Sequence, residues 1–263
     1  MYYLSICAII KDEDPYLNEW IEWHIKGGVE HFYLYDNCST TPQQNFISSE
    51  NMKYCTVIPF PVKDGNPQLQ CYRQFLQDYG SDSEWVAFID ADEFMRVVDG
   101  TDLRVFLRDY EEHDALYVGW IIYNANGQLK YDKQPVRERF TTTIGYVDGY
   151  PRGKSIVCPK KIQRMGIHFP APAWVGRQDI VDADFKPLYS VGGYKPPVTK
   201  IAIDHYFTKS WEEWQSKINK GTADNSGFRK MREFFYYNPD LLEYAPDNIK
   251  IDLEKARDEI RLV

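Results

Sequence analysis

The 263-residue chain is long enough to bury a sizeable core, and 43% hydrophobic and 27% charged residues with a mean hydropathy of -0.53 exclude a disordered protein. A net charge of -8 excludes a protein whose main business is non-specific contact with nucleic acid, because phosphate neutralisation needs a basic face. Cys7, Cys38, Cys55, Cys71 and Cys158 are irregularly spaced with no Cys-x-x-Cys pair, which suggests neither a disulfide framework nor a zinc site and fits reduced thiols in a cytosol.

Met1 to Ile10 is apolar but lacks a basic leading segment, and Lys11-Asp12-Glu13-Asp14 follows at once, so it reads as a strand and not as a secretory signal. No apolar run approaches the ~18 residues a membrane-spanning helix needs. Asp14 is placed to cap a helix opening at Pro15, whose apolar residues Leu17, Trp20, Ile21, His24 and Ile25 run up to Gly27-Gly28. His31 to Tyr35 is a second strand, closed by the polar Asp36-Asn37-Cys38-Ser39-Thr40. A third strand from Tyr54 to Pro59 leads through Gly65-Asn66-Pro67 into a helix from Gln68 to Tyr79, and Trp85 opens the next strand. Alternation of this kind implies an α/β fold with a mostly parallel sheet covered on both faces. Ligands bind such sheets beyond the carboxyl ends of the strands, where Lys11, Asp12, Asp36 and the Asp90 to Glu93 cluster all fall.

After Asp92 the pattern loosens. Asp99-Gly100 marks a turn, Leu103 to Tyr110 a short helix, and Ala115 to Tyr123 a strand. The polar stretch from Asn124 to Tyr150 and a Pro-rich loop holding Trp174 are long connections of the kind that bind ligands or close as lids. Lys154 to Cys158 and Lys200 to Tyr206 read as strands, Ser210 and Glu213 form a capping box, and a charged helix from Ile249 to Ile260 ends the chain. The whole reads as a single domain.

Trp85-Val86-Ala87-Phe88-Ile89 runs straight into Asp90-Ala91-Asp92-Glu93, a buried strand ending in three carboxylates. Asp90 and Asp92 face one side if the strand ends regularly, and a turn beginning at Asp90 re-aims them. Packed oxygens of one sign raise each other's pKa or attract a cation, and a hard divalent ion that keeps positions open for phosphate oxygens suits magnesium or manganese. The plainer alternative is a solvated strand end followed by a helix cap.

Three segments, Cys7 to Glu13 with Leu17-Asn18-Glu19-Trp20 and Trp23-His24, Phe32 to Ser39, and Trp85 to Phe94, together with Asp204 to Ser210, Glu212, Lys217 and Gly221, resemble glycosyltransferase family 92 and related family 2-like enzymes. The resemblance covers most of the chain. It implies a GT-A fold in which residues 1–95 form the nucleotide-binding half and residues 96–263 the acceptor-side half and C-terminal helices. It also implies a metal-dependent, inverting hexosyltransferase of polysaccharide biosynthesis. Such an enzyme takes Mn2+ or Mg2+ and moves sugar from a UDP-sugar, UDP-galactose among them, to a glycan or lipid-linked glycan. The expected location is the cytoplasm, with peripheral contact at the inner membrane face.

By the same resemblance Asp92 is the direct metal ligand, Asp90 lies nearer the ribose or the metal's waters, Asp36 reads the base, Lys11 and Glu13 lie by the nucleotide, and Arg73 contacts the donor. His168 and His205 compete as a third metal ligand, and Lys154 and Lys209 are candidates for diphosphate oxygens. Inversion needs a general base within reach of the acceptor hydroxyl; Asp179, Asp182, Asp204 and Glu212 are candidates that no spacing rule separates. Trp120, Trp174 and Trp211 are sugar platforms or core residues. Two rival classes are a nucleotidyltransferase and a non-catalytic carbohydrate-binding protein with a solvated acidic rim. The first calls for a Gly-rich basic loop after strand one, where this chain has Lys11-Asp12-Glu13-Asp14.

Overall fold

The structure, a computed structural model, describes residues 1–144, 153–170, 179–223 and 230–251. By its internal contacts the chain divides into two compact units, residues 1–121 with 146–205 and residues 122–145 with 206–263.

The first unit is built on a mixed, mostly parallel sheet. Its strands are β1 (Tyr2–Ile10), β2 (His31–Asp36), β3 (Cys55–Pro59), β4 (Ser83–Phe88), β5 (Glu93–Val97), β6 (Ala115–Ile122), β7 (Gly153–Val157), β8 (Ile180–Val181) and β9 (Ile201–His205). They are ordered β3-β2-β1-β4-β7-β6-β9-β5, with β8 beside β6. β1 pairs in parallel with β2 and β4, and β2 with β3. β7 is antiparallel to both β4 and β6, and β5 to β9. Every residue of β1 from Leu4 to Ile10 is buried, so the strand is covered on both faces, and Ser5, whose hydroxyl meets that of Ser83 at 2.8 Å, is the one polar residue in an otherwise apolar run.

Helix α1 (Leu17–Lys26) buries Leu17, Trp20, Ile21 and His24. It starts later than the sequence suggested, because the Glu13 carbonyl accepts the N–H groups of Tyr16 at 2.9 Å and Leu17 at 3.2 Å. Asp14-Pro15 thereby belongs to the preceding turn, and no side chain caps α1. After the single turn of α2 (Ser49–Met52), α3 (Pro67–Asp78) begins with Pro67 in its first turn and Asn66 Oδ1 accepting Leu69 N–H at 2.9 Å. α4 (Leu103–Leu107) runs on into a 3-10 turn at Arg108–Tyr110. β5 was not foreseen: past Asp92 the chain turns back into a strand and not into a helix.

The second unit holds α5 (Val136–Arg139), α6 (Trp211–Lys220) and α7 (Met231–Tyr237), of which α7 was also unforeseen. Ser210 and Glu213 form the capping box the sequence implied. Glu213 further pairs with Arg139 at 2.6 Å, both side chains buried, and Trp214, Phe234, Phe235 and Leu241 form the core. Trp174, the Gly145 to Pro151 stretch and residues 252–260 of the expected last helix lie outside the described residues. Among the described residues no helix is long and apolar enough to cross a membrane.

Candidate active site

β4 ends at Phe88, and Asp90 to Glu93 form a tight turn into β5. Glu93 N–H donates to the Asp90 carbonyl at 3.1 Å, and Asp90 N–H donates to Glu93 Oε2 at 2.9 Å. Asp92 stands at the corner of this turn. The β5–β9 register sets Glu93 opposite His205, and His205 Nε2 lies 3.6 Å from Asp92 Oδ1. That distance is beyond a direct hydrogen bond. It suits two neighbouring ligands of one small divalent ion, whose bonds of about 2.1 Å place adjacent ligand atoms roughly 3 Å apart. A carboxylate oxygen with an imidazole nitrogen is also a donor set that manganese accepts. Among the described residues no group of three or more His, Cys, Asp or Glu side chains is arranged to hold a metal.

Asp90 is placed differently. Its Oδ1 accepts Gln68 Nε2 and its Oδ2 accepts Lys154 Nζ, each at 2.9 Å. Gln68 comes from the first turn of α3, where it is buried and also donates to the Tyr72 hydroxyl at 2.9 Å. Lys154 comes from β7 with its side chain 1% exposed. Burial alone would lower its pKa, but the carboxylates of Asp90, Glu93 and Asp92 outweigh burial and raise it, so the ammonium stays charged. Glu93 is fully buried, and burial pushes its pKa well above the carboxylate range; Lys154 opposes the shift, and Asp90 and Asp92 add to it.

The two histidines flank Trp120, His168 edge-on with ring centroids 5.3 Å apart and His205 tilted at 4.6 Å. His168 Nδ1 lies 3.1 Å from the Gly153 carbonyl, and Ser155 Oγ donates to the His168 carbonyl at 2.9 Å. Burial, then the positive charge of Lys154, lowers the His168 pKa to about 4, so its ring is neutral near pH 7.

On the neighbouring strands, register places Ile10 opposite Asp36 and Cys7 opposite Phe88, the last residue of β4. Lys11 and Asp36 therefore share the strand-end edge with Asp90 and Asp92. The Asp36 carboxylate accepts the N–H groups of Gln43 at 2.8 Å and Ser39 at 3.3 Å, folding its own loop. The two loops are stitched together: Asp12 N–H donates to Ser39 Oγ, Thr40 N–H to Asp12 Oδ1, and Glu13 N–H to Gln43 Oε1.

A profile of glycosyltransferase family 92 matches residues 2–237. The chain belongs to glycosyltransferase family 92. Its relatives include a family 92 protein of Oryza sativa subsp. japonica, 24% identical over 233 residues, 85% of this chain and 39% of that protein. A family 92 protein of Ricinus communis is 25% identical over 238 residues, 85% of this chain and 41% of that protein. The chain thus spans less than half the length of these relatives. Among solved structures it is similar to S. aureus TarS 1–349 in complex with UDP, at 17% identity and a TM-score of 0.39 over 49% of this chain and 38% of that one.

The remaining candidates of this family 92 chain are scattered. Arg73 is exposed on α3, where with Phe60, Val62 and Gln70 it lines a shallow groove. Asp179 precedes β8 at the amino-terminal end of β6 and sits 2.8 Å from His113 Nδ1. Ile180, Ala115, Val157 and Val86 are level in the sheet, so Asp179 falls one residue earlier, level with Trp85 and away from the end of β4 that leads into Asp90. Asp182 accepts the N–H groups of Asp184 and Lys186 and the Tyr194 hydroxyl, which ties it to a turn. Both oxygens of Asp204 are held by Arg96. Glu212 and Lys209 belong to the second unit. There Glu212 accepts Tyr131 N–H at 2.8 Å, and Lys209 is buried in a left-handed conformation at φ 53. Trp211 packs against Phe234 and Phe235 as a core residue. Gln68 was not singled out by sequence, because an amide in a helix's first turn carries no spacing signal. Glu93 was read as one of three clustered carboxylates, with no role of its own.

Proposed function

We propose that this chain carries the donor site of a metal-dependent, inverting glycosyltransferase that takes sugar from a UDP-sugar to a glycan or lipid-linked glycan. The observation that carries the reading is the Asp92–His205 pair at the strand-end edge of a family 92 chain, 3.6 Å apart. Asp92 and His205 would hold Mn2+ or Mg2+, which when bound supplies positive charge against the departing diphosphate. Asp90, gripped by Gln68 and Lys154, cannot turn freely; it is oriented to accept a hydrogen bond from donor hydroxyls, with its remaining lone pairs, and not to wrap a metal. Lys154 adds a fixed positive charge beside the same turn. Asp36, Lys11 and Glu13, on the loops after β1 and β2, are proposed to frame the nucleotide, and UDP-galactose is the first donor to try. Placement in the cytoplasm, at an inner membrane face, belongs to the same proposal.

The test is donor hydrolysis: the whole chain is incubated with a panel of UDP-sugars, with and without Mn2+, and released UDP is measured. Mn2+-dependent release that falls at least a hundredfold in Asp92→Ala supports the reading. Release from no donor, or release indifferent to Asp92, overturns it in favour of a carbohydrate-binding protein.

A further inference from the structure

We propose that Glu93 is a positioning residue of the acidic turn: its side chain closes the turn that presents Asp92 to His205. The inference rests on the reading of Asp92 and His205 as metal ligands. The backbone bond from Glu93 N–H to the Asp90 carbonyl fixes the ends of the turn. The second bond, from Asp90 N–H to Glu93 Oε2 at 2.9 Å, fixes the orientation of the peptide that enters it, and so the direction in which Asp92 leaves it.

Glu93 is held on three sides. Its carbonyl accepts the indole N–H of Trp20 from α1 at 2.7 Å, its backbone is in register with His205 on β9, and its carboxyl group reaches back to Asp90. A shift of Glu93 therefore moves Asp90, Asp92 and His205 together. The side chain has no exposed surface, and its other oxygen, Oε1, is buried with no hydrogen-bond partner among the described residues. Leucine or valine would fill the same space without an orphaned polar atom. A fully buried carboxyl group at a strand's first residue is thus unfavourable for stability, and the bond it makes to Asp90 is what the position gains.

The experiment is a Mn2+ titration of the whole chain, read by the electron paramagnetic resonance of free Mn2+ at one fixed pH, with no donor present. Glu93→Gln keeps an acceptor of the same reach. Glu93→Leu keeps the bulk and removes the acceptor, and Glu93→Asp keeps the carboxyl group on an arm one methylene too short. The expected result is loss of binding in Asp92→Asn, at least tenfold weaker binding in Glu93→Leu and Glu93→Asp, and binding within threefold of wild type in Glu93→Gln. Circular dichroism establishes which variants are folded at the assay temperature, and Glu93→Asp decides the matter should Glu93→Leu not fold. A folded Leu or Asp variant that binds Mn2+ as wild type does, or a Gln variant as weak as either, overturns the role of Glu93 while leaving the metal reading intact. A wild-type chain that binds no Mn2+ overturns the metal reading and this inference with it.

Discussion

Arg96 holds both carboxylate oxygens of Asp204 across the β5–β9 pair, Nε to Oδ2 at 2.7 Å and Nη2 to Oδ1 at 3.2 Å. Register sets Asp204 opposite Phe94, so Arg96 reaches it diagonally on the same face. The carboxylate is 5% exposed and the guanidinium 28%, a two-pronged geometry that a freely reacting base does not have. Asp204→Asn is expected to lower stability by about 1.5–3 kcal/mol, measured by urea unfolding, because a charged hydrogen-bond pair is lost. Turnover in the UDP-release assay with acceptor is expected to fall less than tenfold. A thousandfold fall with Mn2+ binding intact would instead make Asp204 the general base.

Lys154 is the buried cation that pairs with Asp90, and removing it leaves that carboxylate without its counter-charge. Lys154→Met is expected to destabilise the fold by about 1–3 kcal/mol, because the Asp90 side chain it leaves unpaired is 37% exposed and partly solvated. In a double-mutant cycle Asp90→Asn should recover at least 1 kcal/mol of that loss, since it removes the charge left unpaired. Additive effects in urea unfolding would mean that the Lys154–Asp90 contact at 2.9 Å contributes nothing of its own.

His168 predicts a pH dependence of stability. Its pKa is lowered from 6.5 to about 4, so between those values the unfolded chain binds a proton that the folded chain refuses. Stability is then whole above pH 6.5 and declines as the pH falls towards 4, by about 2 kcal/mol between pH 7 and pH 5. His168→Gln has no titrating ring there, and its urea midpoint should fall correspondingly less over the same interval. Parallel declines in the two proteins would place the acid sensitivity elsewhere.

The first part of the fold was legible because its signals are local. A Tyr2–Ile10 run apolar but for Ser5, an apolar helical face ending at Gly27-Gly28, and Asn66-Pro67 opening α3 each declare an element within a few residues. The capping box at Ser210 and Glu213 was legible for the same reason. β5 was not, because its identity comes from pairing with β9, more than a hundred residues away, and its first residues carry charge as a loop would. The same limit applies to the site. Asp90 and Asp92 stand out beside an apolar run, and His205 was one of two histidines left open. What Asp90 does depends on Gln68 and Lys154, which reach it from α3 and β7. Asp204 read as a candidate base since nothing near it in sequence betrays Arg96.

Gly153 constrains the same site sterically, independent of any ligand. It opens β7 opposite Gly119 of β6, and a Cβ built on it would run into the backbone carbonyl of Val118. Neither neighbour is the end of a flexible side chain, so a methyl group forces the two strands apart. The residue next along is Lys154, whose ammonium must reach Asp90, and the Gly153 carbonyl is the partner of His168 Nδ1. Gly153→Ala is therefore expected to cost about 1–3 kcal/mol by overpacking, and to weaken Mn2+-dependent UDP release in protein that is still folded at the assay temperature. Gly192→Ala is the control: nothing lies within 4 Å of its added Cβ, and its change should stay within about 0.5 kcal/mol. Equal urea midpoints for the two variants would show that β6 and β7 have slack at this point, and that the approach of Lys154 to Asp90 is not set by the missing side chain.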